Sequence, residues 1–485
     1  MNGEQADIAV IGLAVMGQNL ILNMNDHGFK VVAFNRTVSK VDDFLNGPAK
    51  GTAVVGAHTV EEMVSQLAKP RRIMMMVKAG DAVDETISHI LPFLEKGDIL
   101  IDGGNSLYLD TQRRMEELEE KGILYVGTGV SGGEEGARHG PSIMPGGSPA
   151  AWEHIKDIFQ SIAAKGSDNE PCCEWVGQGG AGHYVKMVHN GIEYGDMQLI
   201  SESYQMLRDL AVLNNDKMAE VFNHWNEGEL NSYLIEITAN ILKFKDSDGR
   251  SLIDKILDSA GQKGTGKWTV INSAELGQPA SVITEAVYSR FISSFKDERV
   301  TASKVLKGPE TPAGKDNGEL IENLGQALYA AKLISYTQGY MLMHSAAETY
   351  GWQLNYGGIA QMWTGGCIIR SKFLADIKAA YKQDPELVNL LMDNFFSEAV
   401  NNAQLAWRKI VAAGVSAGIP LPAMSSALAF YDAYRSQNLP ANLIQAQRDF
   451  FGAHTYELVG GKRGEYFHTN WTGTGGTTSA SSYNA

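Results

Sequence analysis

The sequence predicts an α/β domain at the N-terminus, a large all-α domain after it and a C-terminal tail. Three observations carry that division. Over the first 180 residues the apolar runs IAVIG, VVAFN, IMMMV, ILIDGG and ILYVGTG alternate with glycine-rich turns and helical stretches, the pattern of βαβ units on a mostly parallel sheet. The first run leads into Gly12-Leu13-Ala14-Val15-Met16-Gly17 and then a helix ending near His27-Gly28, the strand-turn-helix order of a Rossmann-type domain. From about Gly182 the texture changes to long segments of helical periodicity such as LGQALYAAKLISYTQGYMLMHSAAETY and ELVNLLMDNFFSEAVNNAQLAWRKIVAAG.

The turn has the form GxAxxG. Gly12 permits the tight turn, Gly17 lets helix and strand pack closely, and the helix N-terminus can hold a pyrophosphate. At the end of the second apolar run, where an acidic residue would select NAD, stand Asn35, Arg36 and Thr37. A guanidinium and a hydroxyl suit a 2′-phosphate, so NADP is the expected cofactor. The other polar turns, VKAG, DGGNS and VSGG, fall where the carboxyl ends of parallel strands gather their ligands.

The segment KMVHNGIEY, residues 186 to 194, opens the helical region. At helical spacing Lys186, His189, Asn190, Glu193 and Tyr194 fall within a sector of roughly 140°. A polar stripe of this kind is either the solvated side of an amphipathic helix or a binding face; His, Asn and Tyr suit directional hydrogen bonding. Val185, Val188, Ile192 and Leu199 form an apolar stripe, so the helix is packed on at least one side.

Farther along, GQKGTGK at residues 261–267 matches the phosphate-loop spacing. Trp268 replaces the hydroxyl that would bind Mg²⁺, and the preceding IDKILDSA reads as helix rather than strand, which argues against a nucleotide hydrolase. Lys263 and Thr265 remain able to meet a substrate phosphate. Arg290, Arg448 and His454 are each either surface charges or anion ligands, and sequence spacing alone does not bring them together. Residues 410–431 lack charge but contain Pro420 and Pro422, so they read as helix, turn and helix rather than a membrane span.

The chain of 485 residues has a net charge of -15, which argues against nucleic-acid or anionic-membrane partners. Cys172, Cys173 and Cys367 form neither a disulfide framework nor a zinc pattern, so no metal is expected. With no signal peptide evident, a reducing, cytoplasmic location is expected. The small polar stretch from about Gly473 is expected to be disordered unless a partner orders it.

Taken together, GLAVMG, NRT, VKAG, IDGGNS, GVSGGEEGA, KMVHNGIEY, GQKGTGKWT and QRDFFGAHTYE resemble the decarboxylating 6-phosphogluconate dehydrogenases, in order and spacing, from about Ile8 to His468. The resemblance implies an NADP-binding domain over residues 1–180, a helical substrate and dimerisation domain over 181–437, and a tail over 438–485 that reaches the other subunit of a homodimer. It implies that residues 12–17, Asn35, Arg36, Thr37, Val77, Lys78, Ala79 and Asn105 line the NADP site. Asn105, Ser131, Gly132, Gly133, His189, Asn190, Tyr194, Lys263, Arg290, Arg448 and His454 would hold 6-phosphogluconate, the last two from the partner subunit.

The implied reaction is the oxidative decarboxylation of 6-phosphogluconate to ribulose 5-phosphate, a step of the pentose phosphate pathway. Oxidising a secondary alcohol needs a base for the hydroxyl proton, and Lys186 is the candidate, provided that its pKa is lowered. Lys186 would return that proton to the carbonyl oxygen as CO₂ leaves, and Glu193, held protonated, would protonate C1 of the enediol. Two rivals stand beside this reading. A shorter-type β-hydroxyacid dehydrogenase would share the N-terminal turn, the GVSGG loop and the lysine, but has no need of GQKGTGK or QRDFFGAHTYE. A non-catalytic NADP-binding protein would have no use for a matched acid and base.

Overall fold

The computed structural model describes residues 5–309, 317–475 and 478–480. Eight strands form one sheet: β1 (Ile8–Ile11), β2 (Val31–Phe34), β3 (Val55–Ala57), β4 (Arg72–Met75), β5 (Ile99–Asp102), β6 (Leu124–Ser131), β7 (Ser142–Gly147) and β8 (Gly177–Gln178). Their order is β3-β2-β1-β4-β5-β6-β7-β8. All neighbours are parallel except β6 and β7, which pair antiparallel with Gly129 opposite Met144. The helices α1 (Val15–Asp26), α2 (Ser39–Asn46), α3 (Val60–Ser65), α4 (Asp81–Ile90), α5 (Tyr108–Glu119), α6 (Gly133–His139) and α7 (Trp152–Ile162) connect the strands.

Two apolar clusters give the sheet its stability. One gathers Ile8, Val10, Val31, Ile99 and Ile101 with Leu20 and Ile21 of α1 and Ile155 and Phe159 of α7. The other gathers Ala9, Val32, Ile73, Met75 and Leu100 with Met63 of α3 and Val83 and Ile87 of α4. Successive side chains of β1 therefore enter opposite clusters, as a strand covered on both faces requires. The chain leaves β1 for β2 on one side and returns to β4 on the other. That reversal opens a crevice at the carboxyl ends of β1 and β4, the position at which such sheets bind ligands.

The helical region begins with α8 (Ala181–Asp209) and continues through α9 (Asn215–Asn226), α10 (Tyr233–Lys243), α11 (Thr265–Glu275), α12 (Ser281–Ser294), α13 (Lys296–Ala302) and α14 (Asn317–Tyr350). It ends with α15 (Tyr356–Trp363), α16 (Leu374–Gln383), α17 (Asn394–Ala417), α18 (Pro422–Tyr434) and α19 (Ala441–Gly452). Pairing α17 with α18 across a Pro-bearing turn matches the expectation for residues 410–431. Among the described residues no helix is long and apolar enough to cross a membrane.

One buried carboxylate ties α8 to the start of α18. Glu202 accepts hydrogen bonds from the backbone N–H groups of Ala423 (2.8 Å) and Met424 (2.9 Å), donors that the first turn of a helix cannot satisfy internally. Replacing Glu202 by alanine strands both, and each stranded buried donor costs about 1–3 kcal/mol. The Glu202→Ala variant is expected to unfold at a lower urea midpoint with an unchanged m value.

Two expectations need correction. The strands legible in sequence omitted β3, β7 and β8. The segment IDKILDSA, read as helix, holds only a single 3₁₀ turn at Leu252–Lys255. Ile256 and Leu257 are exposed there, so a longer helix would have no apolar face to bury. Instead, Lys255 pairs with Asp246 and Asp248, and Asn215 donates to Asp254.

The described residues divide into two compact units, the second beginning at Leu428. Within that second unit, Asp449 is fully buried and accepts from Trp471 Nε1 and the Thr469 N–H while facing His468 Nδ1. A bridge between Tyr456 and Phe467 closes the loop beyond α19. The terminal stretch expected to be disordered lies partly outside the described residues; of those described, Ala480 donates to the Ala453 carbonyl.

Candidate active site

The crevice beside β1 and β4 is built by glycine geometry. Gly12 has φ +104°, and a Cβ on it would lie 2.4 Å from the Met76 carbonyl oxygen. A Cβ on Gly17 would fall 1.9 Å from the Gly12 oxygen, so only glycine at both places lets α1 start this close to β1. No side chain caps α1, which leaves its first-turn N–H groups free to meet an anion. Asn35 holds the turn by accepting from the Leu13 N–H at 3.1 Å.

A cavity of about 600 Å³ opens here, lined by Gly12, Leu13, Ala14, Asn35, Arg36, Thr37, Val77 and Lys78. These eight belong to the expected cofactor set. Val15, Met16, Gly17, Ala79 and Asn105 are not among the lining residues; Gly17 acts through packing. Lys40 lines the cavity as well, a residue the sequence reading missed although it follows Thr37 by three positions. An open helix terminus for a pyrophosphate, apolar walls for a ring and two cations with a hydroxyl for a further phosphate fit a phosphorylated dinucleotide.

The second half of the site lies on α8. Lys186, His189, Asn190 and Tyr194 are all buried, so their stripe is not a solvated face. The β6–β7 pair covers it closely: a Cβ on Gly129 would lie 2.3 Å from Lys186 Cβ. Asn190 Nδ2 donates to Thr265 Oγ1 at 3.2 Å, which turns Asn190 Oδ1 toward His189 Nδ1 at 3.0 Å. That oxygen can only accept, so the imidazole proton sits on Nδ1 and Nε2 accepts from the Ser131 hydroxyl at 3.3 Å. Lys186 Nζ stands 3.4 Å from the same Nδ1. Thr265 was expected only as a contact for a substrate phosphate, and its role in fixing the Asn190 amide has no local sequence signal.

Farther along the face, the Arg290 guanidinium lies 3.6 Å from the centre of the Tyr194 ring and donates to the Gly261 carbonyl at 2.8 Å. Gly266 lets α11 press against that ring, since a Cβ there would sit 2.5 Å from it. The glycine-rich loop that resembled a phosphate loop is thus joined to Arg290 and Tyr194. Gly132 and Gly133, with φ +115° and +63°, form the turn into α6 directly after Ser131. Asn105 is exposed after β5.

Arg448 and His454 lie in the second unit. Arg448 donates to Gln445, and Gln445 donates to the His454 carbonyl, so the two are neighbours there.

The electrostatics of the face are polarised. Burial pushes the Lys186 ammonium down from its ordinary pKa, against the opposing pull of Glu193. Burial pushes the half-buried Glu193 carboxyl up, against Lys186 and Arg290. His189 is held well below its usual value by burial and then by Lys186, so it is neutral. A lysine that can lose its proton and a carboxyl that can keep one therefore share one helix face, two turns apart.

The "NAD binding domain of 6-phosphogluconate dehydrogenase" matches residues 7–177, and the "6-phosphogluconate dehydrogenase, C-terminal domain" matches residues 182–471. The chain belongs to the 6-phosphogluconate dehydrogenase family. The decarboxylating 6-phosphogluconate dehydrogenase of Homo sapiens is 64% identical over 482 residues, covering 99% of this chain and 100% of the human one. That of Cunninghamella elegans is 64% identical over 481 residues, covering 99% of each chain. The 6-phosphogluconate dehydrogenase of Plasmodium falciparum, solved in its apo form and with NADP⁺ and 6-phosphogluconate, superposes with a TM-score of 0.92 at 48% identity, covering 96% of this chain and 100% of that one.

Proposed function

We infer that this chain catalyses the NADP-dependent oxidative decarboxylation of 6-phospho-D-gluconate to D-ribulose 5-phosphate, CO₂ and NADPH. The observation that carries the reading is the buried face of α8, with Lys186 shifted toward its neutral form and Glu193 toward its protonated form. The decarboxylating 6-phosphogluconate dehydrogenases that match over 99% of the chain support it.

Bound NADP⁺ supplies a hydride acceptor. Lys186 removes the proton of the C3 hydroxyl as the hydride departs, giving a 3-keto acid and a lysine ammonium. The ammonium then donates to the new carbonyl oxygen, which accepts electron density as the C1 carboxylate leaves as CO₂. Glu193 protonates C1 of the enediol while Lys186 takes back the enediol proton. His189, Asn190 and Ser131 orient the carboxylate and hydroxyls, with the Gly132 and Gly133 turn beside them and Asn105 at the junction with the cofactor. Tyr194, Lys263 and Arg290 receive the phosphate.

The working assembly is a cytoplasmic homodimer in which residues 1–180 bind the cofactor, 181–437 carry the substrate face, and 438–485 reach the partner subunit. Arg448 and His454 then complete the phosphate site of the other chain. Ribulose 5-phosphate formed in D₂O is expected to carry one deuterium at C1; product without it would remove the enediol from the reading.

Arg36 accounts for the cofactor choice. A charge-assisted hydrogen bond to the 2′-phosphate contributes about 1.5–3 kcal/mol, so Arg36→Ala is expected to weaken NADP⁺ about 10- to 100-fold. NAD⁺ binding should stay nearly unchanged. Titration calorimetry with both cofactors checks this.

A further inference from the structure

Asp196 lies on α8 one turn beyond Glu193, on the same side of the helix. Its carboxyl is 1% exposed, and Lys332 of α14, 0% exposed, places Nζ 2.5 Å from Asp196 Oδ2. The two helices are close here, because a Cβ on Gly195 would lie 2.5 Å from Ser335 Oγ. Nothing in the mechanism above uses this pair.

An isolated buried carboxylate would take up a proton rather than remain charged. Burial pushes the Asp196 carboxyl up from its ordinary value, and the Lys332 ammonium against Oδ2 opposes that shift by supplying the counter-charge. The nearby Tyr336 hydroxyl, 3.3 Å from Oδ2, is closer to the Ile369 carbonyl at 2.7 Å and spends its proton there. Asp196 Oδ1 has no hydrogen-bond partner among the described residues although it is buried. A buried acceptor left without a donor is uncommon, and its charge acts on its neighbours through a poorly screening interior.

The neighbour that matters is Glu193. Three cations face it: Lys186 from its own helix, Arg290 from α12 and Lys263 from the loop ahead of α11. Each favours loss of the Glu193 proton. Asp196 is the nearby anion that opposes them, alongside burial itself, while the neighbouring Cys367 thiol, pushed up by burial to about 12, stays neutral.

We propose that Asp196 and Lys332 are positioning residues for the acid step: Lys332 keeps Asp196 charged, and the Asp196 carboxylate keeps the proton on Glu193 until C1 of the enediol takes it. The inference rests on the role given to Glu193 above and deepens it. In that step the enediol electron pair forms the C1–H bond, the Glu193 O–H bond breaks, and Lys186 accepts the enediol hydroxyl proton.

The test is the pH profile of kcat for the full-length enzyme with 6-phosphogluconate and NADP⁺. Wild type is compared with Asp196→Asn, Lys332→Met, the double variant and Lys332→Arg. Glu193→Gln identifies the alkaline limb that belongs to Glu193. Loss of the Asp196 charge is expected to move that limb toward acid by about one pH unit, so that kcat falls up to about tenfold on the alkaline side of the limb and less than about twofold on the plateau below it. KM for both substrates should change less than about twofold, and Lys332→Arg should restore the limb. Folded variants with an unmoved limb, or with an equal loss at every pH, would overturn the proposal. Failure of all the variants to fold would assign the pair to the fold alone, and so would overturn it too. A fully active Glu193→Gln enzyme would instead remove the acid role itself, and the proposal with it.

Discussion

Lys186→Met is expected to leave the chain folded and able to bind NADP⁺ while lowering kcat by about 10²- to 10⁴-fold, the usual range for a general base. Methionine preserves much of the stem that packs under Gly129 but removes the amine assigned to exchange protons with the substrate oxygen. The same change should stabilise the protein. Because burial lowers the folded-state pKa of Lys186, the native state binds fewer protons than the unfolded chain between the two values. Stability of the wild type therefore rises with pH through that window and falls as the buried amine is forced to charge, by about 1.4 kcal/mol per unit of depression. In the methionine variant this contribution to the slope vanishes. Denaturant titrations at several pH values would show it. A variant that loses activity but keeps the wild-type pH dependence of stability would mean that Lys186 is not buried in a depressed state.

Glu193→Gln is expected to separate the steps of the reaction. Glutamine retains the size of the side chain and cannot deliver a proton, so turnover to ribulose 5-phosphate should fall by about 10²-fold or more. KM for NADP⁺ should be little changed, since no part of the cofactor cavity includes Glu193. Rapid-quench sampling should detect keto acid or enediol accumulating ahead of product. Unchanged turnover would remove Glu193 from the mechanism.

The parts of the site readable in sequence are those set by local geometry. The glycine turn announces itself because strand, Gly12 and helix must follow one another directly. The stripe from Lys186 to Tyr194 is legible because helical periodicity aligns it, although its burial is not: what covers Lys186 is Gly129, far away in β6. Strand β7 carries no clear signal in sequence, since SIMPGG contains Pro145, which argues against an interior strand. The structure accommodates it through the Pro145 carbonyl, which accepts from the Val176 N–H at 2.8 Å. The two-residue β8 leaves no pattern at all. Long-range partnerships were equally hidden: Lys332 meets Asp196 across 136 residues, and Thr265 meets Asn190 across 75. Charge count and spacing carry no record of such pairings, because they depend on how α14 and α11 pack against α8.

The most direct measurement follows NADPH by absorbance and released CO₂ in the same reaction, with 6-phosphogluconate and either NADP⁺ or NAD⁺. One CO₂ per NADPH, with NADP⁺ strongly preferred, is the expected result and joins Lys186, Glu193 and Arg36 in one activity. Reduction of the cofactor without CO₂ would contradict the decarboxylation and indicate a simple hydroxyacid dehydrogenase. Cofactor binding with no reduction would contradict the catalytic reading altogether.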